Sequence, residues 1–241
     1  MLQKILNKTI TLCQIKGIDF KIHWSFIIVI ILVLFVGSDQ YLNKGGSRQF
    51  FITFIILFFS VFIHELGHAI TAKYLGVKPK DIIISALGGL ARIESLKDKP
   101  EKEVLISSAG PIMNLILFLS SLFYVLVISK ENIQISELNT FIYTEYFSIV
   151  YKIGFINLLF FILNLIPAFP MDGGRILRAL LSIRLGNHKA TKIASIIGRL
   201  VALFFFVVGA IYRIPGLIAV SALVYIMAAR EAIIDLNDTA Q

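Results

Sequence analysis

The chain carries almost no cysteine and little charge. Cys13 is the single cysteine among 241 residues, which excludes an intrachain disulfide framework and any CxxC metal site. It reads as an inert thiol. Only 16% of the residues are charged, against about 25% in an ordinary soluble domain. Also lacking is any dense Lys/Arg cluster with interleaved aromatics. The net charge of +8 and the pI near 9.6 therefore do not point to nucleic acid, which is not expected as a partner. The basic residues fall mostly between apolar runs, the distribution of membrane-flanking charge.

What fills the chain is apolar: 57% of the residues are hydrophobic and the mean hydropathy is +0.84. Runs such as Phe50–Ile63 and Val201–Ile211 outlast the roughly 4–8 residues of a buried strand and extend into helical segments. The expected fold is an all-α membrane protein with six transmembrane helices and a small β-hairpin or sheet. The spans read as Ile22–Val36, Phe50–Tyr74, Val104–Ile128, Phe147–Ile166, Ile193–Tyr212 and Leu217–Ala229. The first and last are short for a bilayer core of about 30 Å, and Trp24 and Tyr41 could mark the interfaces of the first. With the N-terminus inside, 18 of the 23 Lys and Arg fall on the cytoplasmic side, so both termini are expected there. The first run lacks a signal-cleavage pattern and is expected to stay in the mature protein. The loops Gly37–Gln49 and Ser129–Tyr146 leave no room for an accessory domain. One membrane-embedded core spanning 1–241 is therefore expected, with no internal repeat.

Within the second run sits His64-Glu65-Leu66-Gly67-His68. On a helix the i, i+4 spacing sets both imidazoles on one face, where they can share a metal ion, with Glu65 beside them as a candidate general base. A solvated helix can carry this string by chance. Two His and one Glu following Phe50–Ile63 are costly in lipid, however, and intramembrane ionisable residues are functional candidates by default.

A catalytic zinc needs a third protein ligand. Asn164-Leu165-Ile166-Pro167-Ala168-Phe169-Pro170-Met171-Asp172-Gly173-Gly174-Arg175 offers Asp172. Two prolines and two glycines cannot continue an ordinary helix, and broken backbone at membrane depth is tolerated only where protein or water satisfies it. Spans two and four run in the same direction, and each motif follows its apolar run near the cytoplasmic end. The plainer alternative makes Asp172 an N-cap for a helix Ile176–Leu185.

These residues resemble the site-2 protease family of intramembrane zinc metalloproteases. His64-Glu65-Leu66-Gly67-His68 matches its HExxH, the Pro-x-x-Pro-x-Asp-Gly-Gly stretch matches its distal Asp motif, and Ser108-Ala109-Gly110-Pro111-Ile112-Met113-Asn114 resembles the Ala-Gly-Pro signature between them. The resemblance implies a six-helix core holding one Zn2+ per chain through His64, His68 and Asp172, with Glu65 activating the water. Asn164 matches the Asn that opens the distal motif and is a candidate for positioning substrate; a helix-stabilising contact is the rival reading. Many family members carry a PDZ or CBS domain, and this chain resembles a compact member with neither.

Asp81–Glu94 places a β-branched run before Gly88-Gly89, a hairpin signal. Similar segments in the family form a sheet dipping toward the active site. Edge-strand addition there would present an extended substrate, which makes Gly88 and Gly89 substrate-binding candidates. Gln14–Ile22 could add a strand on the same side. His23 reads as an interfacial residue and His188 as a solvated one.

The expected function is an intramembrane zinc metalloendopeptidase cleaving transmembrane or membrane-proximal segments of membrane proteins, in the lipid bilayer of the cell membrane, with its active site toward the cytoplasm. Control, where it exists, would come from a regulatory membrane partner or prior trimming of the substrate. Two rivals belong to other classes. A catalytically silent zinc-binding scaffold would not need Glu65 between the ligands, and a metal transporter would spread ionisable residues along several spans.

Overall fold

The structure is a computed structural model that describes residues 9–15, 18–36, 44–85, 88–94, 96, 98–129 and 149–239. Most of loop 37–49, Tyr41, residues 130–148 and the hairpin tip 86–87 lie outside the described residues. In chain order the elements are β1 (Thr9–Ile15), β2 (Ile18–His23), α1 (Trp24–Val36), α2 (Lys44–Tyr74), β3 (Pro79–Ser85), β4 (Gly88–Ile93), α3 (Pro100–Phe123), α4 (Ile149–Asn164), α5 (Asp172–Leu185), α6 (Asn187–Ile211) and α7 (Pro215–Thr239). A π-helical stretch, Tyr124–Ser129, continues α3.

Four helical segments are long and apolar enough to cross a membrane: Arg48–Tyr74, Pro100–Val127, Asn187–Ile211 and Pro215–Asp235. Among the described residues, the helices of two of the six expected spans are shorter than this. The apolar helices α1 and α4 have 13 and 16 residues, about 20 and 24 Å at 1.5 Å per residue, below the roughly 30 Å of a hydrocarbon core. The last span, expected to be short, lies in the 25-residue α7. The end of α4 has a local cause. Leu165 and Ile166 already bond to carbonyls three residues back, and Pro167 and Pro170 prevent the helix from resuming before Asp172.

The chain divides into two compact units, one comprising Met1–Glu94 and Ile112–Phe161, the other Ser95–Pro111 and Ile162–Gln241. The first unit carries the four-stranded sheet, in the order β1-β2-β3-β4. The hairpin expected over Asp81–Glu94 forms, and Gln14–Ile22, expected as one added strand, belongs instead to a second antiparallel pair. β1 pairs antiparallel with β2 and β3 with β4, and the parallel pairing of β2 with β3 joins them. Gly88 and Gly89 open β4 opposite Ser85 and Ile84 rather than forming the turn. One face of the sheet is apolar: Phe20 of β2 and Ile82 of β3 are paired neighbours and bury against Ala69 of α2, with Phe62 and Leu66 packed beside them. The i, i+4, i+7 spacing of these three residues is the stripe a helix turns toward a sheet.

Lys21 on β2 bonds the buried Asp81 on β3 at 2.8 Å. That hydrogen bond holds the Lys21 ammonium above the usual lysine range, with burial opposing it. A raised lysine pKa means the pair's contribution to folding is present at neutral pH and is lost only as the pH rises through the raised value.

In the second unit small residues face inward and large ones outward. Ala194, Ser195 and Ala202 of α6 are buried, and Ser195 Oγ donates to the Ala228 carbonyl of α7 at 2.6 Å. Leu200, Leu203, Phe204 and Val207 stand on the exposed side. This is packing suited to lipid, where helices associate through close backbone approach and interhelical hydrogen bonds.

The end of α2 stops by a Schellman motif. Gly76 N–H bonds the Lys73 carbonyl at 3.1 Å and Val77 N–H the Ala72 carbonyl at 2.9 Å, with Gly76 at φ 70° and Val77 buried. The path from α2 into β3 depends on that left-handed residue. Gly76→Ala is expected to cost about 1–2 kcal/mol of unfolding free energy, measured by chemical denaturation in detergent micelles. A variant as stable as the parent would show that the cap carries no strain.

Candidate metal centre

The candidate chemistry lies in the last three turns of α2, between the apolar run Phe50–Ile63 and the cap at Gly76. His64, Glu65 and His68 are all buried, with relative exposures of 7%, 8% and 6%. The two rings meet edge to face with centroids 4.8 Å apart, and their Nε2 atoms lie 3.1 Å from each other. Two nitrogens bound to zinc at 2.0–2.1 Å with a tetrahedral angle between them stand about 3.3 Å apart, so the observed pair fits a shared zinc ion.

Glu65 lies against the sheet. A Cβ placed on Gly89 would fall 2.7 Å from Glu65 Oε1 and closer still to its Cγ. Only a residue without a side chain lets β4 lie this near the carboxylate. Among the sequence candidates, the first unit thus brings His64, Glu65, His68 and Gly89 together, with Gly88 next along the strand.

The other candidates belong to the second unit. Asn164 is the last residue of α4 and is half-buried. Asp172 is buried and begins α5, with Met171 in the cap position making no side-chain cap hydrogen bond. The N-cap reading of Asp172 is therefore displaced by one residue: the carboxylate belongs to the first helical turn, where the helix dipole favours a negative charge. The two glycines that follow are packing requirements. A Cβ on Gly173 would run into the carbonyl oxygens of Leu165 and Ile166, and one on Gly174 would sit 2.7 Å from the Ala168 carbonyl carbon. Asp172 is held where it is because α5 starts flush against the broken segment.

A profile described as Peptidase family M50 matches residues 52–208. The chain belongs to this family. It is 36% identical over 227 residues to zinc metalloprotease MJ0392 of Methanocaldococcus jannaschii, covering 94% of this chain and 61% of that one. It is 29% identical over 140 residues to stage IV sporulation protein FB of Bacillus subtilis, covering 58% and 43%. The chain thus spans less than two thirds of the length of these relatives. A solved structure, the site-2 protease from Methanocaldococcus jannaschii, superposes with a TM-score of 0.66 at 35% identity, covering 93% of this chain and 95% of that one. With its four apolar spans, this M50 chain is a multi-pass membrane protein.

Side chains beyond the proposed ligands and base also bear on the centre. His64 Nδ1 bonds Asn114 Oδ1 at 2.5 Å, and Asn114 continues to Asn157 of α4. Asn114 stands in the stretch that resembles the Ala-Gly-Pro signature, but the sequence reading assigned it no role, and it passed over Asn157. The available signal was an amide inside each of two apolar helices, the kind of group that membrane helices carry only with a partner. Two other histidines are structural. His23 bonds Ser25 Oγ at 2.7 Å. His188, expected to be solvated, is half-exposed and bonds the buried Asp235 at 2.9 Å, which ties the start of α6 to α7.

The closeness of β4 to Glu65 predicts a coupling. Gly89→Ala should destabilise the protein by about 1–3 kcal/mol through overpacking. Glu65→Ala, which removes the atoms the new methyl would strike, should recover part of that loss in the double variant. A thermodynamic cycle from unfolding curves measures it; strictly additive effects would mean that strand and carboxylate do not touch.

Proposed function

We propose that this chain is an intramembrane zinc metalloendopeptidase that cleaves transmembrane or membrane-proximal segments of membrane proteins, as in regulated intramembrane proteolysis. One Zn2+ per chain is held by His64, His68 and Asp172, each of which offers one buried ligand atom. The observation that carries this reading is the buried His64–His68 pair at 3.1 Å with Glu65 beside it in a helix apolar enough to span a bilayer. Two metal-binding nitrogens and a carboxylate are not retained in such surroundings without a use.

Zinc at this centre supplies Lewis-acid polarisation of the scissile carbonyl and lowers the pKa of water to about 7. Glu65 acts as general base, accepting a proton from the attacking water and returning it to the leaving amine. β4 is an edge strand of the sheet, and a substrate segment unwound from its helix adds to it in extended form. Gly88 and Gly89 keep that strand bare beside Glu65, and Asn164 positions the substrate backbone.

The remaining features follow from charge and length. The whole chain acts as one membrane-embedded core of six spans, α1 and α4 being the short ones. Lys and Arg concentrate on the side of the N-terminus, which supports an orientation with both termini and the active site toward the cytoplasm of the cell membrane. The partners are a membrane-protein substrate and, for control, a separate membrane protein.

Purified protein in liposomes, mixed with a tagged panel of single-span membrane proteins, tests the reading against Glu65→Gln. The variant should keep its zinc and lose about 10²–10⁴-fold in cleavage rate, and chelation should silence the parent. A zinc-loaded Glu65→Gln protein cutting at the parental rate would sink the mechanism.

A further inference from the structure

Behind the candidate centre, a chain of buried side chains leads away from His64 through three helices. Ser60 and His64 lie on α2, Asn114 on α3 and Asn157 on α4, and none is more than 7% exposed. His64 Nδ1 stands 2.5 Å from Asn114 Oδ1, and Asn114 Nδ2 stands 2.8 Å from Asn157 Oδ1. Asn157 Nδ2 ends the chain on two acceptors, Ser60 Oγ at 3.0 Å and the backbone carbonyl of Ile153 at 2.8 Å.

An amide side chain has nearly the same outline either way round, so its partners decide which end points where. The Ile153 carbonyl is the one terminal partner that can only accept. It requires the NH2 of Asn157 to face it, which turns the Asn157 oxygen toward Asn114. That oxygen requires the NH2 of Asn114, which turns the Asn114 oxygen toward His64. The last oxygen requires a proton on His64 Nδ1. A neutral imidazole protonated at Nδ1 carries its lone pair on Nε2, the nitrogen that faces His68 Nε2 at 3.1 Å.

We infer that Asn114 and Asn157 are positioning residues that set the tautomer of His64, with the Ile153 carbonyl of α4 as the fixed reference. The inference rests on the reading of His64 as a metal ligand. A metal-binding histidine generally donates its other N–H to an oxygen that orients the ring, and losing that partner typically costs 10–100-fold in metal affinity. A neutral amide has one right end and one wrong end. Asn157 keeps the wrong end of Asn114, its NH2, away from His64, since a donor there would favour the tautomer with its proton on Nε2. Amides that merely held the helices together would serve in either orientation; here every link has the same sense.

The test separates positioning from simple packing. Asn157 does not touch His64, yet Asn157→Leu should weaken zinc binding about 10-fold or more in chelator competition, because Asn114 can then turn over. Adding Asn114→Asp to Asn157→Leu should restore affinity close to the parental value, since a carboxylate offers His64 an oxygen whichever way it turns. Folding of each variant is followed by thermal unfolding. Parental zinc affinity in Asn157→Leu, or a double variant no better than the single one, would overturn the inference and leave the metalloprotease reading standing. A parent that binds no zinc would overturn both. Should Asn157→Leu fail to fold, histidine nitrogen NMR of the zinc-free parent at alkaline pH decides the matter, with His64 assigned against His64→Gln. A proton on Nδ1 is expected, and a proton on Nε2 would overturn the inference.

Discussion

A polar group inside an apolar helix bundle must find its partner within the protein, because neither water nor lipid supplies one. Much of this structure answers that requirement. His64 is satisfied by Asn114 and Asn114 by Asn157. The fully buried Lys152 reaches Gln49. In the second unit Arg178 pairs with the buried Glu103, lies 3.4 Å from Glu231, and stands 5.9 Å from the Phe169 ring centre. Each of these residues is expensive alone and tolerable only as part of a set, so the sets fix which helix faces can meet.

The same requirement explains why the backbone is irregular where it is. Residues 165–171 leave the helix just before Asp172, and the freed groups are taken up locally, as in the bonds from Ala168 N–H to the Ile166 carbonyl and from Met171 N–H to the Ala168 carbonyl. Gly173 and Gly174 then let α5 begin directly on that segment. On the other unit Gly89 does the corresponding work, admitting β4 to the side of Glu65. At both places a missing side chain lets backbone pack closely at or beside a candidate carboxylate.

Apolar spans, the HExxH spacing and the distal Asp stretch were legible because each is a local pattern: a run length, a helical period, or a pair of helix breakers. The hairpin Asp81–Glu94 was legible for the same reason, and Gln14–Ile22 partly so. Span length was less legible. Hydropathy alone does not show that α4 stops at Asn164 or that α7 continues to Thr239, because the end of a helix depends on turn bonds, caps and prolines as well as on apolarity. His188 is exposed as expected, but its bond to Asp235 was not legible because the partner lies 47 positions away.

What the sequence determined by itself is the chemistry at hand: two histidines and a glutamate on one turn of an apolar helix, a candidate carboxylate after a forced break, and the membrane as the surrounding medium. All of it follows from spacing along one chain. Only the tertiary structure decided what lies against those groups. The parallel pairing of β2 with β3 carries β4 to Glu65, and the meeting of α2, α3 and α4 hands His64 an oxygen from Asn114. Such contacts join residues between 24 and 103 positions apart. No local period encodes them, because they arise from which buried polar groups can satisfy one another once the helices have packed.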